Sequence, residues 1–315
     1  MLNRRHIRVK VMQVLYALTQ TGQPDLLKEE KFLRQSIAQS RDLYLILIDL
    51  LIEVRAAAED FLEKGQQKML ATAEDIDPNR RFIENQLLIK LADNETLQKE
   101  MHSRKLHNWR QSDEYIHIIF KELRNSDLYR EYMERESTTF KQDREFVIQF
   151  FSEVVAPNEK LYDYLEDFKL TWPDDLPLVN TTIVKRLQKM KPNSPETTIL
   201  VKLYKDEEDE QFAKSLLLKT AQNDEKLENE ILGNTPNWDQ DRIATMDKII
   251  LKMAIGELLY FSSIPVKVTI NEYLELAKEY STPKSSLFIN GILDRLSKKY
   301  KEENRLNKIG RGLIE

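Results

Sequence analysis

The chain has 315 residues and no cysteine, which excludes disulfides and thiolate metal sites and suits a reducing compartment. Its 48 basic and 53 acidic side chains leave a net charge of −5, an unpromising total for a nucleic-acid binder. With 7 glycines, 10 prolines and 41% hydrophobic residues, the composition favours a helical chain with a sizeable core over a turn-rich sheet protein.

Residues 1–10 contain Arg4, Arg5, Arg8 and Lys10 and no acid, so the distribution of charge matters more than its total. A basic terminus is also the ordinary composition of a solvated tail. There is no apolar h-region behind it, so the start does not read as a signal peptide. A first helix is expected from about Arg5 to Gln20, with Ile7, Val11, Val14, Leu15 and Leu18 on one face and Arg5, Met12 and Tyr16 in a stripe beside it. Leu43 to Phe61 reads as a strongly apolar helix, but its longest apolar run contains Asp49 and is too short to cross a bilayer. The expectation is a soluble, cytoplasmic protein with no membrane partner.

Gly65 to Asn79 reads as a connection, followed by helical runs from Phe82 to Ile89, Trp109 to Arg124, Phe146 to Val155 and Leu161 to Phe168. Pro173 with Pro177, and Pro192 with Pro195, bracket further connections. The acidic run 206–210 suits the N-terminus of a following helix. Met246 to Phe261 is helical, and Ile264-Pro265 breaks it. Thr269 and Glu272 have capping-box spacing and place a helix start there, while Ser281-Thr282-Pro283 supplies the cap of the last helix. That helix contains Asn290-Gly291, a hairpin pair by itself. Phe288, Ile292, Leu296 and Tyr300 recur every four residues, however, so Gly291 reads as a mid-helix glycine kept for close packing. Residues 295–315 hold seven basic residues and three acids.

An echo at a spacing of 66 relates Asp143, Phe146, Glu159, Lys160, Leu161, Trp172, Asp175 and Ile183 to Asp209, Phe212, Glu225, Lys226, Leu227, Trp238, Asp241 and Ile249. It reads either as a partial duplication or as coincidence between amphipathic segments. No enzyme constellation stands out: there is no phosphate-cradling glycine loop, no His-Glu-x-x-His and no cysteine nucleophile. His102, His107 and His117 are poorly spaced for a metal, and no cofactor is expected. Lys185, Arg186, Lys189 and Lys191 fit a solvated helix face.

Arg4-Arg5-His6-Ile7-Arg8, with Gln13, Leu15 and Tyr16 behind it, resembles the start of the transcription antitermination factor NusB family. The C-terminal motifs are a stronger match. WDQDRIA at 238–244, Met246 to Ile255, Glu257-Leu258, Ile264-Pro265, Val268, Ile270-Asn271-Glu272, residues 274–278 and FINGIL at 288–293 follow the family's order and spacing. The resemblance implies an all-α fold: a NusB-like helical bundle core from 1–30 and 208–303, a helical insertion at 31–207, and a basic C-terminal tail at 304–315. It also implies a non-catalytic factor that binds boxA-type single-stranded RNA in ribosomal RNA leaders, together with the ribosomal protein NusE, and acts in the RNA polymerase antitermination complex to promote read-through.

On that reading Arg4, Arg5, Arg8 and Lys10 make phosphate contacts, since helix geometry would clear the arginines of the buried stripe. Lys267 and Lys284 are further RNA candidates, and Phe288 is a stacking or core residue. The protein partner would meet Tyr16, Asp247 and Glu257. Three positions depart from the family pattern: Val9 replaces an acid, Gly256 an aromatic residue, and Thr282-Pro283-Lys284 an acidic turn. The rival reading is a protein-interaction scaffold whose insertion carries the main partner site. An RNA methyltransferase with a domain of this type would need a glycine-rich cofactor turn that the chain lacks.

Overall fold

A computed structural model describes residues 1–21, 25–234 and 243–313. Among them every regular element is helical, so the fold is all-α. In chain order the helices are α1 Arg4–Thr21, α2 Leu26–Gln66, α3 Ala73–Ile76, α4 Gln86–Ala92, α5 Glu95–Ser103, α6 Asn108–Gln111, α7 Glu114–Asn125 and α8 Asp127–Met133. Then come α9 Phe140–Phe150, α10 Glu159–Phe168, α11 Leu176–Lys189, α12 Glu207–Gln222, α13 Asp224–Gly233, α14 Thr245–Tyr260, α15 Val266–Tyr280 and α16 Ser285–Glu302. None of the described helices is long and apolar enough to cross a membrane.

The chain divides into two compact units: a middle unit, Met1 with Ala38–Leu203, and a terminal unit, Leu2–Ile37 with Tyr204–Glu315. In the middle unit Leu43 to Leu51 of α2 pack with Phe82, Phe146, Phe150 and Ile183 in one apolar cluster. Two hydrogen bonds fix its α9 side, from the buried Tyr132 hydroxyl to Asp143 Oδ1 (2.8 Å) and from the Gln86 amide to Asp143 Oδ2 (2.9 Å). Expected element ends moved where polar sequence hid helix. α2 begins at Leu26 because residues 26–42 are amphipathic, and α4 begins only after the Asn85 cap, leaving Phe82 in a turn. Pro177 does not sit in a connection but in the first turn of α11, where its missing N–H costs nothing. Phe146 to Val155 is an α-helix that finishes as a π-helical turn at Phe151–Val155.

In the terminal unit α14 is apolar on nearly all sides, which makes it the central rod: Ile250, Leu251, Met253, Ala254 and Ile255 are all fully buried. The helices α1, α12, α13, α15 and α16 pack around it. Two cap expectations fail here. α15 starts at Val266, so Thr269 lies inside the helix; its hydroxyl donates to Glu257 Oε1 (2.9 Å) instead of capping. α16 starts at Ser285, and its first turn is organised by Asp247 of α14, which accepts from the hydroxyls of Ser281 (2.6 Å) and Ser285 (2.8 Å).

Asn290-Gly291 does lie inside α16, but the close-packing account of Gly291 is wrong. The residue is exposed, and an added Cβ would meet nothing within 4 Å. Of the 66-residue echo, Phe146 and Phe212, Leu161 and Leu227, and Ile183 and Ile249 are buried pairs, whereas Trp238 and Asp241 lie outside the described residues.

Candidate nucleic-acid interface

The arginine run forms the first two turns of α1, and the terminal unit holds each guanidinium with acids from elsewhere in the sequence. Arg5 makes a bidentate pair with Glu272 of α15 (3.1 and 3.0 Å), and its charge is held more firmly by that hydrogen bonding. Arg4 donates to Asp209 (2.9 Å) and Glu208 (3.3 Å), both in the first turn of α12, and its guanidinium lies 5.1 Å from the Phe212 ring centre.

Arg8 is different in kind. It is 2% exposed and grips the fully buried Glu257 of α14 through two hydrogen bonds of 2.8 and 2.7 Å. The Thr269 and Tyr273 hydroxyls donate to the same carboxylate (2.9 and 3.1 Å), so its lone pairs are well used. Burial by itself would lower the Arg8 pKa; the Glu257 charge and hydrogen bonds more than offset this and hold it above the ordinary arginine value. Burial and the same carboxylate raise Tyr273, which stays a neutral donor. A further contact of 3.5 Å joins Arg8 to Glu272, so Glu272 touches two arginines.

These side chains open onto a cavity of about 660 Å³ lined by Arg4, Arg5 and Arg8 together with Ile264 and Pro265 of the turn into α15 and Val268 of its first turn. The lining combines arginines, the Glu272 carboxylate that pairs with them, and apolar side chains; arginine and apolar surface together suit a phosphate and an unstacked base. Next to it, burial first and then the positive Arg5 and Lys10 lower the His6 pKa, so His6 adds no charge at neutral pH.

The expected site is therefore brought together only in part. Arg4 and Arg5 face the cavity with partial exposure. Arg8 does not clear the buried stripe, because the face of α1 that packs into the unit takes its stem as well, and Lys10 is 1% exposed. Lys267 is exposed but lines a different cavity; Lys284 is exposed and Phe288 half-buried on α16 and the turn before it. Tyr16 is 42% exposed. Asp247 and Glu257, expected to face a protein partner, point inward to Ser281 and Ser285 and to Arg8. Sequence reasoning missed Glu208, Asp209 and Glu272 as partners of the arginines. The acidic run 206–210 and the Thr269–Glu272 cap spacing are the visible signals, and both suggest only helix starts.

An all-helical bundle in which one arginine of the first helix is locked to a central apolar helix and its neighbours to the helices around it defines the class. The NusB family model matches residues 180–298, beginning within α11 and ending within α16. A transcription antitermination protein NusB from Salinibacter ruber is 40% identical over 116 residues, 37% of this chain and 72% of the relative. The Chloroherpeton thalassium protein of that name is 41% identical over 104 residues, 33% of this chain and about half, 49%, of the relative. The one from Natranaerobius thermophilus is 42% identical over 98 residues, covering 31% and 66%. A solved structure of T. maritima NusB is 30% identical, with a TM-score of 0.30, over 39% of this chain and 93% of that one. The chain belongs to the NusB family.

Proposed function

We propose that this protein is an RNA-binding transcription antitermination factor that takes boxA-type single-stranded RNA together with the ribosomal protein NusE and promotes read-through by RNA polymerase. The observation that carries this reading is the anchored arginine cluster: Arg8, locked to Glu257, holds α1 so that Arg4 and Arg5 stand over a cavity of about 660 Å³. Arg4 and Arg5 supply the phosphate contacts, with Lys267, Lys284 and Phe288 further along the RNA. Arg8 and Lys10 act as internal supports, and Tyr16 remains the exposed candidate for the protein partner. Residues 31–207 are read as an insertion into the family core.

The test is RNA binding by anisotropy at two salt concentrations. The double variant Arg4→Ala, Arg5→Ala should bind boxA RNA more weakly and lower the salt slope by about 1.4, roughly 0.7 for each phosphate no longer neutralised. Unchanged affinity and slope would remove the RNA face from α1.

The scaffold reading has one observation of its own. In the connection after α2, Met69 and Leu70 are 102% and 91% exposed, with Ile76 nearby at 66%. Loss of NusE or polymerase binding on changing Met69 and Leu70 to Ser, with RNA binding intact, would favour it.

A further inference from the structure

The C-terminal segment does not trail as a free basic tail. Beyond α16 it turns back onto the terminal unit: the Ile309 amide donates to the Ser262 carbonyl (3.1 Å), and Lys308 Nζ donates to the Phe261 carbonyl (2.9 Å) at the end of α14. Arg305 pairs with Glu230 (2.5 Å) and lies 4.4 Å from the Tyr300 ring centre. Gly312 passes so close to the end of α14 that an added Cβ would sit 1.9 Å from the Ser262 carbonyl oxygen.

This docking closes a groove of about 550 Å³ between the segment, α15 and α16. Its apolar side is Ile270, Leu306 and Leu313, and its rim carries Lys267, Lys298 and Lys301, with Asp294 as the acid among the lining residues. Lys308 also lines it but is committed to the α14 carbonyls, and burial lowers its pKa to about 8. Lys267 and Lys298 form no ion pair among the described residues.

The groove adjoins the arginine cavity. Pro265 and Val268 line one, and Val266 and Lys267 line the other, so the two open on either side of the same turn at the start of α15. The cavity on the arginine side has its cations paired with Glu208, Asp209 and Glu272, whereas the groove has a single acid among its lining residues.

We propose that this lysine groove, built by the chain's C-terminal segment, is a second single-stranded RNA subsite that takes phosphates and a base of the strand as it continues past the arginine cavity. It rests on the RNA-binding reading above. Lysine rims provide point charges for phosphate, and the apolar floor accepts the face of an unstacked base without selecting its edge. Lys267 and Lys298 lie within the residues matched to the family, whereas Lys301, Leu306, Gly312 and Leu313 lie beyond them.

The experiment compares two labelled RNAs on the full chain by anisotropy across a salt series: one limited to the boxA element, and one extended at both ends. The wild type should bind the extended RNA more tightly. The variant Lys298→Ala, Lys301→Ala should lose about tenfold on the extended RNA and about 1.4 from its salt slope, and nothing on the short one. Gly312→Val, which lifts the segment from the end of α14, should reproduce that selective loss while circular dichroism shows the helices intact. Equal binding of both RNAs by the wild type, or an unaltered extended-RNA affinity in both variants, overturns the groove while leaving the arginine site standing. If the wild type binds neither RNA, the RNA-binding reading itself fails.

Discussion

At the scale of single residues, the three arginines at the start of α1 carry two different tasks. Removing Arg8 would leave the Glu257 carboxylate buried with only the Thr269 and Tyr273 hydroxyls for company. Breaking such a buried pair costs roughly 3–5 kcal/mol. Arg8→Ala should therefore lower stability by about that amount in urea unfolding, whereas Arg5→Ala, partly exposed and paired at the surface, should change it by less than about 1 kcal/mol. Equal losses in the two variants would mean that Arg8 is no more structural than Arg5. Sequence alone could not separate them, because an arginine four residues from a helix start reads the same whether or not a distant glutamate awaits it. Gly291 shows the reverse error: the sequence suggested a packing reason, and the structure offers open space. Gly291→Ala should stabilise the protein by about 1 kcal/mol through helix propensity, measured as a raised unfolding midpoint.

At the scale of elements, the continuous apolar run of α14, the four-residue apolar spacing of α16 and the prolines near the ends make α14, α15 and α16 legible within a few residues. What stayed hidden was where their capping-type residues are spent. Thr269-x-x-Glu272 has the spacing of a cap, yet its two polar side chains reach Glu257, Arg5 and Arg8, since a helix start beside a buried carboxylate has better use for them.

In α2, Asp49 interrupts the apolar run that looked like core and faces a cavity of about 590 Å³ in the middle unit, with Glu53 one turn on. Burial, reinforced by the Glu53 charge and opposed by Arg110, pushes the Asp49 pKa up to about 7. The native state then holds a proton that the unfolded chain, at an ordinary aspartate value near 4, has released. Stability from this group is complete below about pH 4 and is lost as the pH rises through about 7. Asp49→Asn should flatten that slope and melt higher than the wild type at pH 8, by roughly 2–4 °C per kcal/mol recovered, with little difference at pH 4. Parallel wild-type and variant melting profiles across this range would dismiss the buried-carboxylate account.

For the whole molecule, on the RNA-binding reading, the balance of charge decides how a chain of net charge −5 would meet a polyanion. The excess of acid does not stand apart from the basic face: Glu208, Asp209, Glu257 and Glu272 are all drawn into it. Two of these, Asp209 and Glu257, are structural by burial. Glu272 is partly exposed, lines the cavity and accepts from Arg5, so an arriving phosphate must displace it or share the guanidinium with it. Phosphate and carboxylate then compete for one donor fork, and their charges repel across it. Replacing Glu272 by Gln keeps the shape and an acceptor oxygen while removing that repulsion. On the RNA-binding reading, affinity for boxA RNA should rise several-fold at low salt, and the gain should shrink as salt screens the site beyond a Debye length of about 8 Å at physiological ionic strength. Titration of the variant at low and high salt reads both parts. A fall in affinity would mean instead that Glu272 serves RNA by orienting Arg5, and that the carboxylate is a support for the binding face and not a gate on it.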